Sequence, residues 1–230
     1  MKIFADGADL ESMVRLVDDP RISGFTTNPT LMRKAGVSDY EAFARKVLGT
    51  ITEHPISFEV FADDGPEMLR QARLIASWGP NVYVKIPVTN TQGESSAEVV
   101  RELSAEGVHL NVTALMTVAQ VEEIAAASTG GPGHVISVFA GRIADTGRDP
   151  MPIMRESLAA IEHDPALELL WASPREVLNI AQAEEIGVHI ITVTSDLLAK
   201  LDGFGKDLDQ FSLETVQMFH GDAQAAGFVL

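Results

Sequence analysis

A chain of 230 residues, 46% hydrophobic and 22% charged, has a globular profile and enough length to bury its own core without disulfides or metal. It has no cysteine, which excludes disulfides, thiolate nucleophiles and cysteine-based zinc sites. Its 17 basic and 33 acidic residues give a net charge of −16, which opposes partnership with nucleic acid or an anionic membrane.

The first residues, MKIFADGADLE, carry acidic groups early and form no apolar stretch of signal-peptide length, so the expected location is cytoplasmic. No apolar run is long enough for a membrane span. Short β-rich runs then alternate with amphipathic segments. In chain order the spacing predicts strand 2–6, helix 10–17, strand 24–28, helix 40–52, strand 56–60, helix 66–77, strand 82–88 and helix 96–106. It continues with strand 108–114, helix 118–127, strand 134–139, helix 150–161, strand 167–173, helix 174–186, strand 189–193 and helix 195–201. Pro66 and Pro174 suit a first helical turn, and Ser195-Asp196 precedes an apolar run. Gly79, Gly107 and Gly187 follow helical patterns where a left-handed cap needs glycine.

Eight strand–helix pairs in one uninterrupted composition imply a single-domain α/β protein, a (β/α)8 TIM barrel over residues 1–230. A helix at 212–226 is left over and makes 204–230 a C-terminal helical extension, able to pack on the barrel or on a neighbouring subunit. An open doubly wound sheet is the rival, but no Gly-x-Gly-x-x-Gly follows the first strand.

Strand parity then locates polar residues that a barrel interior should lack. Val82, Val84, Ile86 and Val88 form a β-branched outer face, which turns Tyr83, Lys85 and Pro87 inward. Lysine is seldom buried without a partner or a task, and a desolvated amine is a nucleophile. The alternative is a lysine that snorkels from the barrel mouth or pairs with a carboxylate. The same parity sends inward Asp6, Thr26, Asn28, Ser57, Glu59, His109, Asn111, Thr113, Ser137 and Phe139, while Ser173 shares the parity of Trp171.

Each polar residue has an ordinary alternative: Asp6 as a helix cap, Asn28-Pro29 as a turn, Thr113 as a β-former. Together they place two carboxylates, a lysine, amides and hydroxyls at one barrel mouth, a cost that ligand binding would offset. Arg142 and Arg175 lie just past the sixth and seventh strands, where this fold frequently holds phosphate, and Ser173 and a helix start near Pro174 would add donors. The six histidines show no metal-ligand spacing, so no metal is expected. His109 reads as a core residue, and Gly130-Gly131-Pro132-Gly133 as a turn at the far end of the barrel.

Gly24-Phe-Thr-Thr-Asn-Pro-Thr30, Val84-Lys-Ile-Pro-Val88, Leu110-Asn-Val-Thr113, Ser137-Val-Phe-Ala-Gly-Arg-Ile143 and Ala172-Ser-Pro-Arg175 resemble, in order and over nearly the whole chain, the short transaldolases and fructose-6-phosphate aldolases. The resemblance implies a Schiff-base mechanism with no cofactor and no metal. Lys85 would form the imine, Asp6 would act as acid and base, and Glu59 with Thr113 would hold a catalytic water. Thr26, Asn28, Asn111, Ser137 and Phe139 would surround the three-carbon fragment, and Arg142, Ser173 and Arg175 would hold phosphate.

It implies sugar-phosphate substrates, with sedoheptulose 7-phosphate or fructose 6-phosphate as donor and an aldose phosphate as acceptor in the pentose phosphate pathway. It also implies a homo-oligomer, pentamer or decamer. The aldolase branch typically has Gln and Tyr where this chain has Glu59 and Phe139, which favours transaldolase over an aldolase releasing dihydroxyacetone. A barrel that binds a sugar phosphate without catalysis is the third reading. Gly7 departs from the family's Thr or Ser after the acid/base Asp.

Overall fold

The computed structural model describes residues 1–229 and shows a closed barrel of eight parallel strands in sequence order. The strands are β1 (Lys2–Asp6), β2 (Ile22–Thr26), β3 (Ile56–Glu59), β4 (Val82–Pro87), β5 (Leu110–Leu115), β6 (His134–Val138), β7 (Leu167–Trp171) and β8 (Ile190–Thr194). β1 pairs with β8 from Lys2↔Ile190 to Asp6↔Thr194, so the first and last strands close the ring.

The helices are α1 (Leu10–Val17), α2 (Pro29–Lys34), α3 (Tyr40–Leu48), α4 (Gly65–Ala76), α5 (Ala97–Ala105), α6 (Val118–Ser128), α7 (Ala140–Asp145), α8 (Met151–Ile161), α9 (Leu178–Glu185), α10 (Ser195–Lys200) and α11 (Leu208–Ala225). Among the described residues no helix is long and apolar enough to cross a membrane.

Two packed layers follow from the strand alternation. Phe25, Phe58, Val84, Ile86, Leu110, Val112 and Trp171 are buried in the outer layer between strands and helices. Phe4, Val135, Leu170, Ala172 and Ile190 form a smaller cluster inside the barrel, with Tyr83 and Phe139 against it. The inner cluster explains the placing of β2, two residues earlier than the pattern at 24–28 suggests. Gly24 reads as a strand boundary, yet it lies mid-strand because a Cβ there would stand 2.6 Å from the Phe4 ring.

Other departures have local causes. α2 is too short to show an apolar period; Asn28 caps it by accepting from Leu31 N–H at 2.9 Å, with Pro29 in the first turn. Pro174 is not in a helix, and α9 begins only at Leu178, so no helix N-terminus stands beside Ser173. By contrast, Ser195 and Asp196 open α10 ahead of Leu197 and Leu198, at the helix start expected at residue 195. Gly107 and Gly187 have φ of +79° and +80°, but Gly79 does not take a left-handed conformation. Asp64 caps α4, while Asp63 accepts from Thr91 N–H at 2.7 Å and ties two rim loops together.

Ser173 is the most instructive difference. Leu170 and Ala172 face the interior, so a strand carried on to residue 173 would aim Ser173 at the helices. β7 stops at Trp171, and Ser173 takes φ +60° instead. The turn passes so close to α7 that a Cβ on Gly141 would sit 1.6 Å from Ser173 O. Only glycine fits at that crossing.

Candidate active site

The C-terminal ends of the strands surround a cavity of about 600 Å³, within the range of small-molecule sites. Lys85 projects into it from β4 and is 6% exposed. Its Nζ donates to Thr27 O at 3.0 Å and stands 3.3 Å from Glu59 Oε2. Glu59 is the last residue of β3, in register with Lys85 on the neighbouring strand. The side-chain nitrogen thus has a carboxylate and a carbonyl for partners and an open side towards the cavity.

Asp6 ends β1 and accepts from Thr26 Oγ1 at 2.8 Å. Thr26 in turn shares a hydrogen bond with Thr192 of β8. Burial pushes the Asp6 carboxyl above its usual range, opposed by the Lys85 charge and the Thr26 hydroxyl. A cap for α1 is not its task, because Asp9 fills that place by accepting from Ser12 N–H at 2.9 Å.

A second chain of hydrogen bonds fixes the far wall. Asn111 Nδ2 donates to Ser57 Oγ at 3.0 Å, and Ser137 Oγ donates to Asn111 Oδ1 at 2.6 Å. That pattern leaves the amide of Asn111 one way round, its nitrogen towards β3 and its oxygen towards β6. Among the described residues Thr113 Oγ1 is buried with no hydrogen-bond partner, although the residue lines the cavity.

The rim above β6 and β7 is cationic. Arg142 stands over the Phe139 ring at 5.7 Å. Arg175 donates to Ser173 Oγ at 3.0 Å and pairs with Asp145 through two nitrogens. The Arg175 guanidinium holds the Asp145 carboxyl below the usual carboxylate range. Asn28, Phe139, Arg142, Ser173 and Arg175 all border the same cavity as Lys85. Every site residue named from the sequence therefore lines one space. Among the described residues no three His, Cys, Asp or Glu side chains gather as a metal-holding group.

The family described as Transaldolase/Fructose-6-phosphate aldolase matches residues 3–229. The chain belongs to this family. A probable transaldolase of Dehalococcoides mccartyi is 36% identical over 202 residues, covering 87% of this chain and 90% of the relative. Probable transaldolase 2 of Listeria monocytogenes is 34% identical over 223 residues, covering 92% and 98%. A solved mandelate oxidase variant, bound to a monooxide FMN adduct, superposes with a TM-score of 0.56 at 18% identity, over 88% of this chain and 67% of that one. It shares the barrel fold alone.

Thr192, Lys34 and Met116 are among the residues of this transaldolase-family cavity that the sequence does not single out. Thr192 is buried on β8 among Ile190, Ile191 and Val193, where a threonine reads as a β-former; its parity with Ile190 was the available signal. Lys34 and Met116 also line the cavity, one on the short α2 and one in the β5–α6 loop. Neither carries a periodic signal.

Proposed function

We propose that the protein is a transaldolase that moves a dihydroxyacetone unit between sugar phosphates through a Schiff base on Lys85. The observation that carries this reading is the buried Lys85 Nζ, 3.3 Å from Glu59, opening on a cavity whose rim holds Arg142 and Arg175. Lys85 attacks the ketose C2 carbonyl, and loss of water from the carbinolamine leaves an iminium ion. The C3–C4 bond then breaks, its electrons pass to the iminium as an enamine, and Asp6 takes the C4 hydroxyl proton. The aldose phosphate leaves, a second aldehyde accepts the enamine, and the steps reverse with hydrolysis of the imine.

The raised proton affinity of Asp6 suits a group that must both take and return that proton. Glu59 and the unpartnered Thr113 hydroxyl would hold the water that enters and leaves during imine formation. Thr26 and Thr192 orient Asp6, while Asn28, Asn111, Ser137 and Phe139 surround the three-carbon unit. Arg142, Ser173 and Arg175 bind phosphate against a net charge of −16. The donor would be sedoheptulose 7-phosphate or fructose 6-phosphate. Glu59 and Phe139 favour transfer over release of free dihydroxyacetone, since Phe139 offers the enamine no hydroxyl.

A cytoplasmic homo-oligomer fits the same reading. α11 has no buried residue and exposes Phe211, Leu213, Val216 and Phe219. Exposed apolar side chains in that number suit a neighbouring subunit.

Borohydride reduction with fructose 6-phosphate, followed by peptide mass spectrometry, should place a reduced three-carbon adduct on Lys85, and Lys85→Met should abolish it. An unmodified Lys85 peptide would overturn Schiff-base catalysis and leave a sugar-phosphate-binding barrel. Free dihydroxyacetone formed without acceptor, at a rate matching turnover with acceptor, would assign the aldolase activity instead.

A further inference from the structure

Beyond Thr26, β2 leaves β3 with an unfinished hydrogen-bond ladder. In a parallel pair each strand donates and accepts at every second residue. Phe25 N–H reaches Pro55 O at 2.8 Å, and Thr27 N–H reaches Ser57 O at 3.3 Å. At that spacing Thr27 O would next accept from Glu59 N–H, and the N–H of residue 29 would reach Glu59 O. Neither bond forms. Residue 29 is proline and has no N–H, while Thr27 O accepts from Lys85 Nζ at 3.0 Å. The last paired residues of β2 and β3 are accordingly Thr26 and Ser57.

One side chain fills both places. The Tyr40 hydroxyl accepts from Glu59 N–H at 2.7 Å and donates to Glu59 O at 3.0 Å. Tyr40 is the first residue of α3, whose start is fixed by Asp39 accepting from Ala42 N–H at 3.0 Å. Its ring is held edge-on by Phe58 and Phe61, with centroids at 6.1 and 4.5 Å, and tilted against Trp78 at 5.8 Å. Burial pushes the phenol above its usual range, so it keeps the proton that it donates. On the other side of β3, Val60 N–H reaches Lys85 O at 3.1 Å, which leaves Tyr40 as the restraint on the open edge.

We infer that Tyr40 is a positioning residue for the imine chemistry: its hydroxyl stands in for Thr27 O and for the missing N–H of Pro29, fixing Glu59 and leaving Thr27 O to hold Lys85 Nζ. A single phenol thereby sets both members of the Lys85–Glu59 pair. This inference rests on the reading of Glu59 as the residue that serves the water of imine formation.

The test measures the single-turnover rate of imine formation, by rapid quenching into borohydride, for the wild type, Tyr40→Phe, Glu59→Gln and the double variant. Tyr40→Phe should slow trapping about tenfold, the order expected when a general acid/base group loses its alignment. In the Glu59→Gln background the same change should cost about twofold or less, because both substitutions act through one group. Inhibition by inorganic phosphate should stay within about twofold of wild type in every variant, since Arg142 and Arg175 are untouched.

A wild-type rate for Tyr40→Phe, with Glu59→Gln slow, would overturn the inference and leave the role of Glu59 standing. Equal tenfold losses in both backgrounds would also overturn it. A wild-type rate for Glu59→Gln would instead sink the role given to Glu59, and the inference with it. Amide exchange of the unsubstituted protein supplies a check that needs no variant: Glu59 N–H should be as protected as its strand neighbours. Exchange at the rate of an exposed loop would mean that Tyr40 does not hold it.

Discussion

Asp6 shows how one residue can serve a site at the expense of the fold. Its folded proton affinity lies above the ordinary carboxylate value because burial outweighs the help of Lys85 and Thr26. A group raised in this way stabilises the protein most fully below pH 3.8, its unfolded value, and loses that contribution as pH rises through the higher folded value. At neutral pH Asp6 is therefore a burden on the fold. Asp6→Asn keeps a partner for Thr26 and should raise Tm at pH 7 by about 2–4 °C, the shift that roughly 1 kcal/mol produces in a chain of this size. The gain should vanish near pH 3 in a thermal melt, and transfer activity should be lost.

Much of the cavity is readable residue by residue. Alternation alone aims Asp6, Thr26, Glu59, Lys85, Asn111, Thr113 and Ser137 at one mouth, because each stands on a strand whose other face is apolar. Ser173 is not readable that way. It reaches the cavity through a left-handed turn at φ +60°, and the sequence marks that turn only through Gly141, which gives it room. Tyr40 is opaque for another reason: the ladder it completes belongs to two other elements.

At the scale of elements, the end of β6 away from the cavity carries a buried histidine that nothing in the proposed chemistry uses. His134 accepts from Leu110 N–H at 3.1 Å through Nδ1, so its other nitrogen donates to Ser104 Oγ at 2.9 Å. Only the neutral ring can satisfy both partners. Burial, reinforced by His109, pushes its pKa down to about 4 from 6.5. Between these values the unfolded chain binds a proton that the native ring refuses, so stability falls as pH drops from 6.5 towards 4. Urea titrations at pH 7 and pH 4.5 should show His134→Asn losing less stability over that interval than the wild type. An NMR titration of the ring midway near 6.5 would contradict this account. The eight-fold alternation of strand and helix is legible because long apolar periods and strand-length β-branched runs dominate it. α2 and α7 are hidden because six residues are too few to establish a period, whereas α10, equally short, is marked by Ser195-Asp196 ahead of Leu197-Leu198.

At the scale of the whole molecule, α11 is the element the barrel does not need. Its exposed Phe211 and Phe219 are where the proposed assembly would join copies. Replacing both by aspartate should shift sedimentation towards the single chain while leaving imine trapping on Lys85 intact, because α11 contributes nothing to the cavity. An unchanged sedimentation coefficient would remove α11 from the interface.

The pairing of β1 with β8 reaches further than closing a ring. Asp6 lies on the first strand to be synthesised, and Thr192, two hydrogen bonds away, lies on the last. The seam where the two ends of the fold meet thus runs through the carboxylate proposed to handle the proton. An unfinished or opened barrel can keep Lys85 beside Glu59 and Asp6 beside Thr26, since each pair stands on strands that are neighbours in sequence, yet it lacks the Thr192 hydroxyl that holds Thr26. The proposed proton transfer therefore waits for β8, the last strand to be synthesised, to close on β1.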